Sequence, residues 1–371
     1  MDAQGALRGV SMDQSLIFLT GMGTLGREIL VALLERTPHR VAVLVRPRAR
    51  RSAMERAARL FAELGLTAEQ QARIEVVAGD ITRHGLGLDP ETQERLVRST
   101  AVIIHTAAVT SLVADRALCQ AVNIDGTANL LIFAERALAL GPLRKVVHLS
   151  TAFVAGARCG HIEEDCLPPT PQHFNHYEWS KYEAERLVRA ALGTGLPATI
   201  LRPSMVVGDT ATGRTRDFNV IYPLLRLMAS GLVTRFPACP RGRVHLAPID
   251  FVIEATLRAA QMDWTTGHTF HLTSPKPPTV EQLLACDEFF PDDAPRPRLL
   301  PPAQLDLREC RERERELLMS VAFCFPYFNA HMRFATTNTA RLVALPTTDA
   351  EYLARLGRYA VESGYLRRLA A

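Results

Sequence analysis

The chain has 371 residues, of which 47% are hydrophobic, and it carries a formal net charge of +4 at pH 7. This length and composition allow one large hydrophobic core with a smaller one attached to it. Because acidic and basic residues are interleaved along nearly the whole chain, no basic surface of the kind that binds nucleic acid is expected. We therefore predict no nucleic-acid partner.

The seven cysteines are scattered and include no C-x-x-C pair, which argues against a disulfide framework and against a zinc or other metal site. The N-terminal region has no basic stretch followed by a long apolar one, and no run reaches the roughly 18 apolar residues of a membrane span. We expect a cytoplasmic protein without a transmembrane segment.

Short apolar, β-branched runs alternate with amphipathic segments of helical length along most of the chain. The runs predicted as buried strands cover residues 15–20, 40–45, 73–78, 101–105, 145–150, 198–202 and 268–273. The segments predicted as helices include 24–36, 52–64, 115–138 and 177–192. This alternation predicts an α/β fold, a Rossmann-type doubly wound parallel sheet with helices on both faces.

The regular alternation weakens after residue 208, where a polar segment and later two proline-rich segments follow. We interpret these segments as connections into a smaller, mostly helical C-terminal substrate-binding cap. The predicted division assigns residues 13–210 with 243–275 to the cofactor-binding Rossmann domain. Residues 211–242 with 276–371 are assigned to the cap.

A glycine-rich loop follows the first predicted strand and leads directly into a predicted helix. Its sequence is G-x-G-x-x-G, with glycines at Gly21, Gly23 and Gly26 and with Thr24 and Leu25 between the last two. The glycines allow a tight turn and a close approach of backbone amides to a pyrophosphate, which the helix N-terminus favours. This context predicts a dinucleotide-binding loop.

The residue that follows the second predicted strand is Arg46, at the place where NAD-binding domains carry a carboxylate for the ribose diol. Arg46 and Arg48 can instead bind a 2′-phosphate, because guanidinium matches phosphate in a bidentate manner. NADPH is therefore predicted over NADH, with ordinary surface arginines as the alternative. Asp80, after the third strand, either reaches the adenine or is a plain turn residue.

Tyr177 and Lys181 lie four residues apart in a predicted helix, so the phenol and the ammonium share one helix face. A nearby positive charge is expected to pull the tyrosine pKa down from about 10 toward the working range of a proton donor. Of the 43 basic residues, only Lys145, Lys181 and Lys276 are lysine, so a lysine kept at position 181 favours a catalytic role.

Two further polar residues complete the predicted site. Thr151 lies just past the fifth predicted strand, where parallel sheets bind ligands, and its hydroxyl is suited to polarising a substrate carbonyl. Ser150 is the competing candidate for that role. Asn123 is either a polar group inside a helix or a member of a proton relay.

Taken together, these motifs resemble the extended short-chain dehydrogenase/reductase superfamily over residues 16–274. The resemblance implies a catalytic triad of Thr151, Tyr177 and Lys181 assisted by Asn123. It also implies that Lys181 and further residues after the strands bind the cofactor. These are Asp80, Ile81, Ala107, Ala108, Pro203 and Ser204.

Within the superfamily, residues 43–46, 148–156 and 201–208 look most like the fatty acyl-CoA reductase and thioester-reductase branch. Members of that branch use NADPH to reduce acyl thioesters carried on coenzyme A or on a carrier protein. One departure is that the glycine loop is one residue shorter between its first two glycines than in most extended members, which affects how it holds the pyrophosphate.

The resemblance implies an NADPH-dependent reductase that converts an acyl thioester to an aldehyde, or onward to an alcohol, with the oligomeric state left open. One alternative is a dehydrogenase or epimerase acting on a ketone, alcohol or nucleotide sugar. Another is a non-catalytic dinucleotide sensor, although sensing does not require the Tyr177 and Lys181 pair. Five arginines either contact a phosphopantetheine or nucleotide phosphate or are ordinary surface residues, namely Arg214, Arg216, Arg235, Arg241 and Arg243.

Overall fold

The computed structural model describes residues 15–48, 50–169, 171–219, 221–290, 295–329 and 331–366. Over these residues, seven strands form one parallel sheet in the order β3-β2-β1-β4-β5-β7-β11. They are β1 (Leu16–Thr20), β2 (Arg40–Val45), β3 (Ile74–Ala78), β4 (Thr100–His105), β5 (Lys145–Leu149), β7 (Ala198–Pro203) and β11 (Thr269–Leu272). All seven predicted strands are thereby confirmed, as is the doubly wound α/β fold.

Three short parallel pairs lie outside the main sheet in the described part of the chain. They pair β8 with β10, β9 with β12, and β6 with β13. The six strands are β6 (Gly160–Ile162), β8 (Met205–Val207), β9 (Arg235–Pro237), β10 (Leu246–Pro248), β12 (Arg298–Leu300) and β13 (Met332–Phe334). The β6–β13 pair joins a segment close to the end of β5 to the C-terminal region.

The helices connect the strands and build the cap. They are α1 (Thr24–Arg36), α2 (Ala53–Leu64), α3 (Ala68–Ala72), α4 (Pro90–Ser99), α5 (Arg116–Cys119), α6 (Gly126–Leu140), α7 (His176–Gly193), α8 (Ile221–Ala229), α9 (Ile249–Gln261), α10 (Val280–Ala285), α11 (Glu312–Ser320), α12 (Phe325–Phe328), α13 (Thr337–Leu342) and α14 (Ala350–Glu362). Local signals position their ends, such as the reciprocal Ser52 and Glu55 hydrogen bonds that begin α2.

Hydrophobic side chains form three clusters. Two of them cover the faces of the main sheet, and the third lies among the cap helices. The predicted domain division stays a prediction, and its first two residues lie outside the described part. The packing does not follow it strictly, because Phe153 and Ile162 belong to the cap cluster while Leu342 and Val343 pack against the sheet.

The helical run Arg116–Leu140 joins α5, a π-helical turn at Gln120–Asp125, and α6. By length and composition alone, this run is long and apolar enough to cross a membrane. No such run was predicted from the sequence. Leu130, Phe133 and Ala134 are nevertheless buried in the cluster on one face of the sheet. We therefore interpret the run as a core helix of the α/β domain.

Candidate active site

The site predicted from the sequence forms along one edge of the sheet. Parallel strands all end at the same edge, and the candidate residues directly follow six of the seven strands. The glycine loop follows β1, Arg46 and Arg48 follow β2, Asp80 and Ile81 follow β3, Ala107 and Ala108 follow β4, and Thr151 follows β5. Pro203 ends β7, and Ser204 follows it. The structure thus brings these residues to a common edge.

Three glycines shape the loop after β1. Gly21 has φ +90°, and a Cβ on it would lie 2.3 Å from the backbone nitrogen of Ala107. A Cβ on Gly26 would lie 1.8 Å from the carbonyl oxygen of Gly21, so both positions require glycine. A Cβ on Gly23 would meet nothing within 4 Å, which leaves open space beside the backbone there. The shortened loop therefore keeps the close approach that a pyrophosphate needs.

Helix α1 begins at Thr24 without a side-chain cap and has no acidic residue in its first turn. Its first backbone N–H groups and the positive end of its dipole are therefore suited to an anion such as a pyrophosphate. The Thr24 hydroxyl donates a hydrogen bond to Asp217, which comes from the polar segment after β8. Arg216 of the same segment pairs with Glu28, so this segment covers the start of α1.

Four arginines lie close together between the end of β2 and the first turns of α2. Arg46 and Arg48 are exposed there, and Arg51 exchanges two backbone hydrogen bonds with Arg48. Burial lowers the pKa of Arg56 on α2, and the positive charges of Arg48, Arg46 and Arg51 lower it further. Four mutually repelling guanidinium groups fit a polyanionic ligand. Among the described residues, these four arginines form one ion pair with an acidic residue. It is the long contact of 3.9 Å between Arg46 and Asp80.

The Thr151 hydroxyl and the Tyr177 phenol meet at the end of β5. Thr151 is buried, its hydroxyl lies 3.3 Å from the Pro203 carbonyl oxygen, and it accepts a hydrogen bond from the Phe153 amide. Burial raises the pKa of Tyr177 to about 12, although its hydrogen bond with Thr151 acts in the opposite direction. The phenol is therefore protonated throughout the physiological pH range.

Lys181 lies one helical turn after Tyr177, with 3% of its surface exposed. Its ammonium donates a hydrogen bond of 2.6 Å to the Leu149 carbonyl oxygen at the end of β5. Burial lowers the pKa of Lys181 to about 8, while the negative charge of Glu185 acts to raise it. The expected net lowering of the Tyr177 pKa is wrong for this structure, because burial outweighs the effects that favour the phenolate.

Asn123 lies in the π-helical turn before α6 and is 1% exposed. Its side chain accepts from the Val109 amide at 2.7 Å and donates to the Val109 carbonyl at 3.0 Å. It also donates to the Ser180 hydroxyl at 2.7 Å. Asn123 therefore ties the loop after β4 to helix α7, next to Lys181, and both interpretations made from the sequence remain compatible with this place.

The competing candidate Ser150 is directed away from this role. Its hydroxyl donates to Glu185 at 2.7 Å, and Glu185 also pairs with Arg202 at 2.6 Å and with Arg189 at 2.9 Å. Arg202 in turn bonds to His271 and to the carbonyl oxygen of Glu164. This buried network was not predicted from the sequence. One signal was present, since Glu185 follows Lys181 by four residues and so shares its helix face.

A second group missed from the sequence links the cap to helix α7. Tyr327 of α12 donates a hydrogen bond to the Glu178 carboxylate and accepts one of 2.8 Å from Asn175, the residue that caps α7. Burial raises the pKa of Glu178 to about 7. Because Tyr327 lies 149 residues from Glu178, no local pattern predicts this contact.

Solved structures with similar folds include reductase domains. The terminal R domain from the myxalamid PKS-NRPS biosynthetic pathway has a TM-score of 0.82 at 25% identity, covering 97% of this chain and 94% of that one. UDP-glucuronic acid 4-epimerase from Bacillus cereus, solved with NAD, has a TM-score of 0.66 at 19% identity, covering 94% of this chain and 99% of that one. At that identity the epimerase shares the fold alone.

Two curated relatives each match more than half of the chain. Fatty acyl-CoA reductase wat of Drosophila melanogaster is 25% identical over 316 residues, which are 74% of this chain and 60% of that protein. Isonitrile lipopeptide synthase of Streptomyces coeruleorubidus is 32% identical over 213 residues, which are 57% of this chain and 14% of that protein. The chain thus spans less than two thirds of the length of either relative.

Residues 19–256 match the sequence profile of the male sterility protein family of NAD-binding domains. This match covers more than half of the 371 residues and includes every predicted cofactor-binding position. The chain therefore belongs to the male sterility protein family, whose members are NAD-binding domains of the extended short-chain dehydrogenase/reductase type.

Proposed function

We propose that this protein reduces an acyl thioester, carried on coenzyme A or on a carrier protein, to an aldehyde with NADPH. The similarity to a fatty acyl-CoA reductase and to the terminal R domain of the myxalamid PKS-NRPS pathway supports this class of substrate. The observation that carries the proposal is the contact between the Thr151 hydroxyl and the protonated Tyr177 phenol at the carboxyl end of β5. A further step to the alcohol and a cytoplasmic location stay predictions.

Two hydroxyl groups side by side are suited to a carbonyl oxygen that gains negative charge. Thr151 and Tyr177 donate hydrogen bonds to that oxygen, and Tyr177 then transfers its proton to it. A phenol with a pKa near 12 does not ionise before the reaction, so it remains a donor at neutral pH. The product is a hemithioacetal, in which the C–S bond then breaks. The hydroxyl proton returns to the Tyr177 phenolate as the aldehyde forms, and the departing thiolate takes a proton from solvent and leaves as the free thiol.

Lys181 has two tasks in this scheme. Its ammonium binds the Leu149 carbonyl, which holds α7 against the end of β5, and its charge stabilises the phenolate left after proton transfer. Bound NADPH supplies the hydride. The glycine loop and the first turn of α1 would hold its pyrophosphate, and the arginines after β2 would hold its 2′-phosphate.

The choice of NADPH over NADH has a direct test in Arg46 and Arg48. We expect the double substitution Arg46→Ala with Arg48→Ala to raise the Kd of NADPH about tenfold or more, because charge-assisted bonds to the phosphate are lost. The Kd of NADH should change little, and fluorescence titration measures both values. Arg59→Ala is the matched control, since this exposed arginine of α2 pairs with Glu63. An equal change for both cofactors would contradict the assignment.

The reaction itself is tested by following NADPH oxidation with acyl-CoA, acylated carrier protein, ketone and nucleotide-sugar substrates while trapping the aldehyde. We expect stoichiometric aldehyde and free thiol from at least one thioester. Turnover of ketones or sugars without turnover of thioesters would replace the proposal with the dehydrogenase alternative. Cofactor binding without turnover of any substrate would favour the sensor.

A further inference from the structure

The cap contacts the start of helix α7 through a buried side chain, Tyr327 of α12. Tyr327 is 4% exposed, and its hydroxyl lies between the side chains of Asn175 and Glu178. The hydroxyl accepts a hydrogen bond of 2.8 Å from Asn175 and donates one to the Glu178 carboxylate. Asn175 precedes Tyr177 by two residues, and Glu178 follows it directly. The cap thus bonds to the chain on both sides of the Tyr177 phenol.

These contacts complete a cycle of hydrogen bonds around the backbone of Tyr177. Oδ1 of Asn175 accepts from the Glu178 amide at 3.0 Å and so caps α7. The Glu178 carboxylate accepts from the Phe174 amide at 3.0 Å with Oε2, and from the Tyr327 hydroxyl with Oε1. Every member of this cycle except Tyr327 lies within three residues of Tyr177. The Tyr327 hydroxyl is therefore the contribution of the cap to a local structure that carries the catalytic phenol.

The aromatic ring of Tyr327 also packs against the segment that holds the second catalytic hydroxyl. Its centroid lies 4.9 Å from that of the Phe153 ring, and the two rings meet edge to face. The Phe153 amide donates a hydrogen bond of 3.3 Å to the Thr151 hydroxyl. One side chain of the cap therefore contacts both the segment that holds Thr151 and the segment that holds Tyr177.

The Glu178 carboxyl is buried, at 1% exposure, and no cation forms an ion pair with it in the described part of the chain. The titratable groups beside it are Tyr327 from the cap and Tyr177 on its own helix. Burial raises the pKa of Glu178 to about 7, while the bonds from Tyr327 and from the Phe174 amide act to lower it. These two hydrogen bonds therefore stabilise the charged form, and they are strongest when the carboxyl is ionised.

We propose that Tyr327 and Glu178 are a positioning pair for catalysis, in which the cap hydroxyl, bonded to the ionised carboxylate, holds the Tyr177 phenol against the Thr151 hydroxyl. Neither member of the pair transfers the proton. They act through the two catalytic hydroxyls, whose relative position determines how well a carbonyl oxygen is bound. The inference rests on the proposed function for its assay substrate. It makes the cap a part of the catalytic apparatus as well as a substrate-binding attachment.

The substitution Tyr327→Phe keeps the ring that packs on Phe153 and removes the hydroxyl. We expect kcat for thioester reduction to fall about tenfold to a hundredfold, because a small displacement of a catalytic group is costly. The KM of the thioester and the Kd of NADPH should change little. Tyr352→Phe is the matched control, since it removes another buried hydroxyl of the cap, which bonds to the Gly208 carbonyl at 2.6 Å. An unchanged kcat in Tyr327→Phe would overturn the inference, as would an equal fall in both variants.

The substitution Glu178→Gln keeps the shape of the side chain and removes its charge, so it tests the pair even if Tyr327→Phe does not fold. In the unmodified protein, kcat should decline as pH falls through about 7, because Glu178 then takes up a proton. Glu178→Gln should have a low kcat at neutral pH and lack this decline. The double variant should be about as slow as either single variant, since both changes remove one interaction. A decline that Glu178→Gln retains, or effects that multiply in the double variant, would contradict the pair.

Hydrogen exchange detected by NMR tests the geometry without turnover. The amides of Phe174 and Glu178 belong to the cycle, so in NADPH-loaded Tyr327→Phe they should exchange about tenfold faster than in the unmodified protein. The Glu55 amide, bonded to Ser52 at the start of α2, is the internal control and should keep its rate. Unchanged exchange of both amides would overturn the inference, whether or not a thioester is reduced. Absence of thioester turnover by the unmodified protein would instead contradict the proposed function.

Discussion

Replacing Tyr177 by phenylalanine is expected to lower kcat for thioester reduction by about 10²–10⁴-fold, because the reaction loses its proton donor. The ring and its packing are kept, so the Kd of NADPH should change little. Stopped-flow measurement of NADPH oxidation separates the two quantities. The matched control is Tyr182→Phe on the same helix, whose hydroxyl bonds to the carbonyl oxygens of Pro168 and Pro169.

The same experiment has a pH dependence. Lys181 is charged below its pKa of about 8 and loses its proton above it, so kcat/KM should decline as pH rises through 8. Tyr177 remains protonated over that range. If Tyr177→Phe turned over thioester as fast as the unmodified protein, the Tyr177 phenol would not be the proton donor, whatever the pH profile.

The substitution Glu185→Gln should lower the free energy of unfolding by about 3–5 kcal/mol, because it leaves the buried Arg202 without its counter-charge. Glu185 and Arg202 have side-chain exposures of 0% and 1%, so solvent does not screen the loss. Denaturant titration at neutral pH measures the change. Arg186→Ala, which breaks the exposed pair with Glu183 on the same helix, should cost less than about 1 kcal/mol.

Two pH effects distinguish this network from simple packing. Burial acts to raise the pKa of Glu185, but Arg202, Arg189 and Ser150 together hold it at about 2. Its stabilising effect is therefore complete above the pKa of an unfolded glutamate, about 4.3, and is lost as pH falls toward 2. Glu185→Gln should also move the decline of kcat/KM below pH 8, because Glu185 raises the pKa of Lys181. An unchanged profile would show that the network does not act on Lys181.

The main sheet was predictable because each strand carries its own signal. A run such as Val41–Val45 is apolar, β-branched and buried on both faces, and the helix after the glycine loop begins at Thr24 as expected. Most of the candidate site followed from the same signals, since parallel strands deliver their ends to one edge. The sequence thus predicts both the fold and the edge of the sheet at which the candidate residues meet.

What escaped prediction depends on contacts between distant segments. The bond between Tyr327 and Glu178 spans 149 residues, and the one between Thr24 and Asp217 spans 193. The pKa of Tyr177 was predicted with the wrong sign because spacing reveals a nearby charge but not the degree of burial. Charge is read from residue type, whereas desolvation is a property of the packed site.

Two contacts limit which segments of this protein can be exchanged with those of its relatives. They are the pairing of β6 with β13 and the hydrogen bond from Tyr327 to Glu178. Residues 152–162 leave the sheet directly after Thr151 and form part of the same cluster as the cap helices. A chimera that exchanged only the C-terminal residues would pair a foreign β13 with the original β6, and Glu178 would keep its hydrogen bond only if the new segment carried a phenol in the place of Tyr327. A transfer of substrate specificity therefore has to include residues 152–162, which follow Thr151, together with the C-terminal region.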